Sequence, residues 1–303
     1  MSLSVRSIRS ASTRVGSSAA PKAARRSADP TVTIVVPARN EARNLEVVLP
    51  TLPAVHEVIV VDGHSTDDTI EVVSRVLPQA RVLQQTRKGK GNALAVGFEA
   101  ATGDVIVMFD ADGSADALEI DAYVSALASG ADFAKGSRTI AEGGSHDITW
   151  LRDAGNRVLT TTVNLLFRTR YTDLCYGYNA FWRDVLPHLE IPSSRGSEPV
   201  WGDGFEIETL INCRVAAADL RIDEVPSIEL ARIHGESNLN TWRDGWRVLR
   251  TIARERLGRG RTHRPTPAAD VVGVEHLDVR GDLLEAGERR RATPVSQLDA
   301  DSA

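Results

Sequence analysis

Two aspartates follow a short apolar run in the segment GDVIVMFDADGS, which covers residues 103–114. Asp110 and Asp112 are two positions apart, so a strand end and the turn after it can direct both carboxylates toward one hard cation such as Mg2+ or Mn2+. Such a cation neutralises the charge that develops on a departing diphosphate. A structural aspartate-rich turn has the same pattern, so the triplet alone leaves both interpretations open.

The residues around this pair alternate between apolar runs and helical spacing. Strands are predicted at 31–37, 56–62, 80–85 and 103–110, and helices at 41–52, 65–77, 90–101, 150–168 and 205–217. Strands that alternate with helices predict an α/β protein with a mostly parallel sheet flanked by helices. The alternation loosens in the second half of the chain. We expect this half to form the acceptor side of the site, where a second substrate would bind.

Polar residues stand where several of these strands end. Pro37 and Glu41 follow the first strand, Asp62 ends the second, and Asp110 ends the last. Each has an ordinary structural explanation, as a strand terminator, a helix-start carboxylate or a turn residue. Their joint occurrence favours a ligand site, because open α/β sheets bind ligands at the carboxyl edge of their strands.

The segment RKGKGN, residues 87–92, predicts a second feature of this site. Lys88 and Lys90 with two glycines open a helix, where positive side chains and unpaired backbone N–H groups favour an anion. A solvated helix start is the alternative. The order GxxxxGK[ST] is absent, so the segment is not a P-loop.

Six motifs in this order resemble the family-2 glycosyltransferases of GT-A fold: VVPARNE, VDGHSTDDT, GKGNALAVGFEAATGD, FDADGS, KGSR and GESNL. The resemblance covers about residues 31–257 and is strongest to the polyprenyl-phosphate (dolichol-phosphate type) mannosyl- and glucosyltransferases. It implies a Rossmann-like nucleotide-diphospho-sugar transferase fold. It also implies metal-dependent, inverting transfer of a sugar from GDP-mannose or a UDP-sugar to polyprenyl phosphate.

Individual roles follow from the resemblance. Donor binding is implied for Pro37, Arg39, Glu41, Asp62, Lys90 and Asp110, and acceptor binding for Arg232, His234, Ser237 and Asn238. Asp110 and Asp112 are implied to hold Mg2+ or Mn2+. Arg138 of KGSR is placed near the donor or acceptor phosphates, where a guanidinium fork suits phosphate geometry. Its alternative is a surface arginine that closes a strand.

The nature of the acceptor decides whether a general base is needed. A lipid phosphate is already anionic at neutral pH, whereas a hydroxyl must lose its proton to a carboxylate. Asp203 in WGDGFEIE is the candidate base, because this region resembles the segment where other family members place theirs. A helix cap is the equal alternative for Asp203.

Residues 241–257 predict a basic amphipathic helix. Its apolar side contains Trp242, Trp246, Leu249, Ala253 and Leu257, and its other side contains Arg243, Arg247, Arg250 and Arg254. Such a helix suits the surface of an anionic membrane, where a lipid-linked acceptor would reside. The alternative is that the apolar side docks onto the protein's own core, with the arginines solvated.

The composition limits the other possibilities. The 303-residue chain has a net charge of −5, which argues against general nucleic-acid binding, and two cysteines without the spacing of a zinc site. No apolar run is long enough to span a membrane. We predict a disordered basic arm at 1–29, a catalytic domain at 30–240, the amphipathic helix at 241–258 and a mostly disordered tail at 259–303. The expected location is the cytoplasm, with peripheral contact at the cytoplasmic face of the membrane.

Two other functions compete with the lipid-phosphate transferase. One is a soluble family-2 glycosyltransferase that acts on a hydroxyl of a metabolite or cell-envelope precursor. The other is a nucleotide-sugar binding protein that has lost catalysis, which the intact Asp110 and Asp112 argue against. A dinucleotide-dependent dehydrogenase is disfavoured because no GxGxxG follows the first strand.

Overall fold

The computed structural model describes residues 26–235 and 241–258, with side chains from residue 245 onward in the second segment. The strands are β1 Val32–Ala38, β2 Glu57–Asp62, β3 Arg81–Gln84, β4 Val105–Met108, β5 Phe133–Ser137, β6 Gly144–Ser145, β7 Asn179–Trp182, β8 Ile222–Pro226 and β9 Ile228–Glu229. The α-helices are α1 Ala42–Val48, α2 Thr69–Val76, α3 Lys90–Ala100, α4 Ile120–Ala128, α5 Trp150–Phe167, α6 Leu186–Leu189, α7 Ile207–Ala217 and α8 Thr241–Gly258. Single 3-10 turns precede α4 and α6 and follow α1.

The main sheet has seven strands in the order β3-β2-β1-β4-β7-β5-β8. The pairs among β1 to β4 and the pair β5 with β8 are parallel, whereas β7 is antiparallel to both β4 and β5. Val, Ile and Phe side chains fill the interior on both faces of this sheet. The expected α/β architecture with a mostly parallel, helix-flanked sheet is confirmed.

The strand order creates a crevice beside β1. The chain moves from β1 outward to β2 and β3, then returns to place β4 on the other side of β1. At such a reversal the connections leave neighbouring strands in opposite directions, which opens a ligand crevice at their carboxyl ends. The segments that follow β1 and β4 contain Glu41 and Asp110, so the topology brings the predicted site residues to one place.

A second, smaller apolar cluster joins α5, α7 and α8 next to the sheet. It includes Val163 of α5, Cys213 of α7 and Ile252 of α8, all almost fully buried. The helices predicted at 150–168 and 205–217 correspond to α5 and α7. These three helices form one wall beside the crevice.

Helix α8 docks through a different face from the one its sequence pattern suggests. Thr251, Ile252 and Glu255 are buried against the protein, whereas Trp246 is 72% exposed and Leu257 is 79% exposed. The predicted apolar side, apart from Trp242 whose side chain lies outside the description, therefore does not cover the core. Among the described residues, no helix combines the length and apolar character needed to cross a bilayer.

The predicted terminal segments fall mainly outside the described residues, namely at 1–25 and 259–303. Arg26, which we assigned to the basic arm, lies within the description. Its guanidinium forms ion pairs with Asp132 at 2.5 Å and Asp184 at 2.8 Å, and it lies over the ring of Trp182. These contacts fix the chain just before β1 against residues in or next to β5 and β7.

Candidate active site

One large cleft opens at the carboxyl ends of β1 and β4, with a volume of about 1150 Å3. Its lining includes nine of the residues predicted from the sequence: Pro37, Arg39, Glu41, Lys90, Asp110, Asp112, Arg138, Arg232 and His234. Side chains that the sequence separates by almost 200 positions therefore share one cavity. Ser237 and Asn238 lie outside the described residues.

The turn after β4 fixes the orientation of Asp112. The backbone N–H and the hydroxyl of Ser114 both donate hydrogen bonds to Asp112 Oδ1, at 3.0 and 2.6 Å. Gly113 between them has φ +81°, and a Cβ at this position would collide with the side chain of Ile233. Glycine is required here because an L-residue rarely adopts this conformation and would also lack space. The second oxygen, Asp112 Oδ2, lies 2.7 Å from the guanidinium of Arg232, and Asp112 lines the cleft.

Two cations neutralise the aspartate pair. Lys90 Nζ lies 2.6 Å from Asp110 Oδ1 and 2.6 Å from Glu208 Oε1. Arg232 bridges Asp112 at 2.7 Å and Glu41 at 3.3 Å. Burial by itself lowers the pKa of Lys90, but the charges of Asp110 and Glu208 outweigh it and raise the pKa above its ordinary value. Lys90 is therefore a cation throughout the physiological pH range.

The oxygen atoms available in the cleft suit a hard cation whose ligands come partly from the protein and partly from a substrate. No group of three or more His, Cys, Asp or Glu side chains with metal-site geometry occurs among residues 26–235 and 245–258. Asp110 and Asp112 offer carboxylate oxygens at the cleft surface. Mg2+ is usually held by one or two carboxylates together with water and substrate phosphates. The residues present therefore fit Mg2+ or Mn2+ in that shared form.

Backbone N–H groups in the first turn of α3 already donate hydrogen bonds to another part of the protein. The backbone N–H groups of Gly91 and Asn92 donate to the carbonyl oxygen of Asp203, at 2.7 and 3.2 Å. The prediction that an anion meets open backbone N–H groups here is wrong for these two groups, because the loop before α7 has taken them. Lys90 contributes its positive charge to the cleft through its side chain.

Asp203 forms a buried ion pair with Arg87. The guanidinium donates to both carboxylate oxygens, at 2.9 and 2.8 Å, and both side chains are less than a tenth exposed. Arg87 also donates to the carbonyl oxygens of residues 193–196. The pair thereby fastens the loop 193–203 to α3. The carboxylate of Asp203 is absent from the cleft lining.

Asp62 likewise lies beneath the cleft surface. It is 1% exposed, and its carboxylate accepts a hydrogen bond from the backbone N–H of Ser65. Its neighbour Gly63 lines the cleft in its place. The structure thus places Asp62 where it shapes the loop after β2.

Arg138 belongs to a network at the opposite wall. It forms a bidentate ion pair with Asp173, at 2.7 and 3.0 Å, and donates to Glu229 at 2.9 Å. Its guanidinium lies 4.9 Å from the ring centre of Tyr176. Asn156 of α5 donates a further hydrogen bond to Asp173. These contacts hold Arg138 rigidly at the cleft surface, and within the described residues they engage three of its five N–H groups.

Asp173 should give the stability of the protein a measurable pH dependence. Burial by itself raises the pKa of Asp173, but hydrogen bonds and charge from Arg138, with the charge of Lys135, lower it to about 2. Folding lowers this pKa from an unfolded value of about 3.9. The contribution of ionised Asp173 to the free energy of unfolding is therefore complete above about pH 3.9 and disappears as the pH falls toward 2. We expect Asp173→Asn to reduce the free energy of unfolding by about 2 kcal/mol at pH 7, and the difference from wild type to vanish near pH 2.

Urea unfolding at a series of pH values measures this difference. Asp121→Asn, which changes an exposed carboxylate on α4, is the matched control and should follow wild type at every pH. A constant difference between Asp173→Asn and wild type from pH 7 to pH 2 would contradict the role of the ion pair.

Sequence reasoning missed two residues that organise the site. Arg87 stands directly before Lys88 in the glycine-rich segment, so its pattern suggested an exposed basic cluster, whereas its side chain is 1% exposed. Asp173 occurs in no motif at all. The roles of these residues become apparent only from their ion-pair partners. Asp203 is 116 positions from Arg87, and Arg138 is 35 positions from Asp173.

The family model for glycosyl transferase family 2 matches residues 33–189, a range that includes all but the first residue of β1, the strands β2 to β7 and the aspartate pair. The chain belongs to this family. It is also 32% identical over 209 residues to an uncharacterized glycosyltransferase of Mycobacterium tuberculosis, a match that covers 69% of this chain and 89% of that protein. The protein is accordingly a glycosyltransferase.

Two further glycosyltransferases are similar to this chain in sequence or in fold. Polyprenol monophosphomannose synthase of Mycolicibacterium smegmatis is 27% identical over 219 residues, covering 68% of this chain and 80% of the relative. The crystal structure of glucosyl-3-phosphoglycerate synthase from Mycobacterium tuberculosis, solved with Mn2+, UDP and glucosyl-3-phosphoglycerate, aligns with a TM-score of 0.55 at 24% identity. That alignment covers 76% of this chain and 81% of the other, and it establishes the shared fold.

Proposed function

We propose that this glycosyltransferase moves a sugar from a nucleoside-diphosphate sugar, GDP-mannose or a UDP-sugar, to a polyprenyl phosphate, with inversion and with Mg2+ or Mn2+. The observation that carries the proposal is the single cleft that joins Asp110 and Asp112 to the wall formed by α5 and α8. Small-molecule sites commonly measure about 300–1,000 Å3. A cleft of about 1150 Å3 has room for a donor and the headgroup of an acceptor together.

The donor is expected to lie on the sheet side of the cleft. Pro37 and Arg39 line the crevice at the end of β1, where Rossmann-like folds receive nucleotides. The carboxylates of Asp110 and Asp112 would hold the cation beside the donor diphosphate. When bound, that cation supplies Lewis-acid stabilisation of the leaving diphosphate.

The acceptor is expected to enter from the opposite wall. Arg138 lies on this wall, whereas Arg232 and His234 line the cleft beside the aspartate pair, where Arg232 contacts Asp112 and Glu41. Together they supply N–H donors for a phosphate. A phosphate oxygen attacks the anomeric carbon while the bond from that carbon to the diphosphate oxygen breaks. The diphosphate leaves with the electron pair, and no proton has to be removed from the acceptor. Lys90 and Arg232 remain close enough to balance the charge of the product diphosphate.

Transfer to a hydroxyl is the second candidate, and the position of Glu208 favours it. A hydroxyl acceptor needs a carboxylate in the cleft to accept its proton. Glu208 lines the cleft, whereas the carboxylate of Asp203 is held by Arg87. The glucosyl-3-phosphoglycerate synthase that shares this fold was solved with glucosyl-3-phosphoglycerate, which supports considering a soluble acceptor here.

Product analysis separates the two candidates. The purified full chain is incubated with Mn2+, a panel of GDP- and UDP-sugars, and either a short-chain polyprenyl phosphate or a panel of soluble hydroxyl acceptors, and products are identified by mass spectrometry. We expect a sugar-phospholipid product that retains at least about a tenth of its rate in Glu208→Gln, since no base is required. A soluble glycoside as the sole product, lost in Glu208→Gln by about 100-fold or more, would instead establish the second candidate.

A further inference from the structure

Helix α5 exposes several large apolar side chains, while its buried side contains two polar residues beside two apolar ones. Asn156 and Thr160 are buried and accept hydrogen bonds from the backbone N–H groups of Cys175 and Leu174, at 3.1 Å each. On the opposite side, Trp150 is 82% exposed, and Leu165 is 77% exposed. The outer face continues through Leu151, Val158 and Leu166. The buried side also contains Leu159 and Val163. Helix α5 therefore has apolar residues on both sides, whereas the solvent-exposed face of a helix is normally polar.

Helix α8 likewise exposes large apolar residues. Its buried side includes Thr251 and Glu255, and Glu255 forms an ion pair with Arg214 of α7 at 2.9 Å. Its outer side exposes Trp246, Leu249 and Leu257. Trp150, Leu165, Trp246 and Leu257 contribute little to the stability of the fold, because each is at least 72% exposed.

Helices α5 and α8 are neighbours in the fold, so their exposed sides are close to each other. Helices α5 and α8 pack against each other and against α7. Among the described residues, eight of the fourteen exposed large apolar side chains lie on these two helices. Isolated exposed apolar residues are ordinary, but such a concentration indicates an interaction surface. We call these eight residues the docking surface: Trp150, Leu151, Val158, Leu165, Leu166, Trp246, Leu249 and Leu257.

The charge around the docking surface selects its partner. Residues 150–170 contain four arginines and one acidic residue, and residues 241–258 contain five arginines and two acidic residues, in a chain whose net charge is −5. Arg157, Arg250 and Arg256 are exposed beside the apolar faces. A second copy of the chain would bring the same positive charge against this surface, which disfavours self-association. An anionic lipid surface complements it.

Helices α5 and α8 also contribute to the wall of the cleft. Arg152 and Asn156 of α5 and Arg247 and Val248 of α8 contribute to its lining. A membrane in contact with the docking surface would therefore lie beside the acceptor side of the cleft. Tryptophan and leucine inserted at the headgroup boundary, with arginine at the lipid phosphates, are the usual means by which helices lie in a membrane surface.

We infer that the outer faces of α5 and α8 together bind an anionic lipid bilayer and hold the cleft at the membrane surface. The inference deepens the proposed function and rests on it for the identity of the acceptor. The lipid contact itself is independent of which sugar is transferred.

Vesicle cosedimentation of the full chain tests this inference. We expect wild type to bind vesicles that contain phosphatidylglycerol, to bind pure phosphatidylcholine vesicles more weakly, and to lose affinity as NaCl is raised. The triple variant Trp150→Ser, Leu165→Ser, Trp246→Ser should bind the anionic vesicles at least about tenfold more weakly. Val47→Ser, which removes an equally apolar exposed residue on α1, is the matched control and should bind as wild type does.

The triple variant keeps every arginine and both chain ends, so electrostatic attraction alone would leave its binding unchanged. Unchanged binding, or no binding by wild type, would overturn the inference. A wild-type dimer in sedimentation velocity that the triple variant dissociates, together with no vesicle binding, would assign the surface to a second copy instead.

A transfer assay with a short, water-soluble prenyl phosphate separates this inference from the proposed function. The triple variant should retain wild-type turnover on that acceptor, which also shows that it is folded, and should lose turnover only on a long-chain acceptor in vesicles. Vesicle binding without any prenyl-phosphate product would leave the docking surface supported and the proposed acceptor wrong.

Discussion

Replacement of Asp112 by asparagine should reduce glycosyl transfer about a thousandfold. The substitution preserves the hydrogen bonds from Ser114 to the side-chain oxygen, so the turn keeps its shape. It removes the negative charge that faces the cleft, and with it one of the two carboxylates proposed to hold the cation. Loss of metal stabilisation of a leaving diphosphate costs several kcal/mol in the transition state, which corresponds to about three orders of magnitude in rate.

Two measurements check this expectation. Steady-state kinetics gives kcat for wild type, Asp112→Asn and the control Asp121→Asn, which should be fully active. Calorimetric titration of Mn2+ in the presence of a nucleoside diphosphate should show a loss of metal affinity in Asp112→Asn alone. If the variant transfers sugar at the wild-type rate, Asp110 and Asp112 form a structural turn and the metal site has to be sought elsewhere.

Replacement of Arg87 by methionine should be among the most destabilising single changes in the chain. The guanidinium is 1% exposed and satisfies the carboxylate of Asp203. Its removal leaves a buried carboxylate and several carbonyl oxygens without their donor. Breaking a buried pair in this way costs about 3–5 kcal/mol. For a domain of this size, that lowers Tm by about 10 °C.

The same substitution should also lower activity, because the loop 193–203 caps α3, which contains Lys90. Differential scanning calorimetry measures the change in Tm. Arg75→Met provides the control, since Arg75 pairs with Glu46 on the surface, where both side chains are more than half exposed. The double variant Arg87→Met, Asp203→Leu should regain part of the lost Tm, since it no longer buries an unpaired charge. No recovery would mean that the carbonyl contacts of Arg87, and not the ion pair, hold the loop.

The regular first half of the fold could be predicted closely. Strands β1, β2 and β4 are apolar on both faces because helices cover both sides of the sheet, and such continuous runs stand out in a sequence. The helices between them have clear spacing and start signals. The antiparallel strand β7 was not predicted, because its four residues, NAFW, contain no signal of direction or partner.

The amphipathic helix illustrates a different limit. Its sequence predicts an apolar and a basic side, but a pattern does not state which side meets the protein. Only the contacts of α8 reveal that Thr251 and Glu255 face inward while Trp246 and Leu257 face outward. Buried polar groups with specific partners, here Glu255 with Arg214, can outweigh the apolar preference of an entire face.

The family, the fold class and nine of the residues that line the cleft could be predicted from the sequence, because local periodicity predicts the strands and short motifs occur at their ends. The partners of those residues became apparent only in the folded protein. There Asp203 forms an ion pair with Arg87, Glu208 lies in the cleft beside Lys90, and large apolar side chains of two helices are exposed. Burial and ion pairing join residues more than a hundred positions apart, and no local pattern in a single chain encodes such contacts.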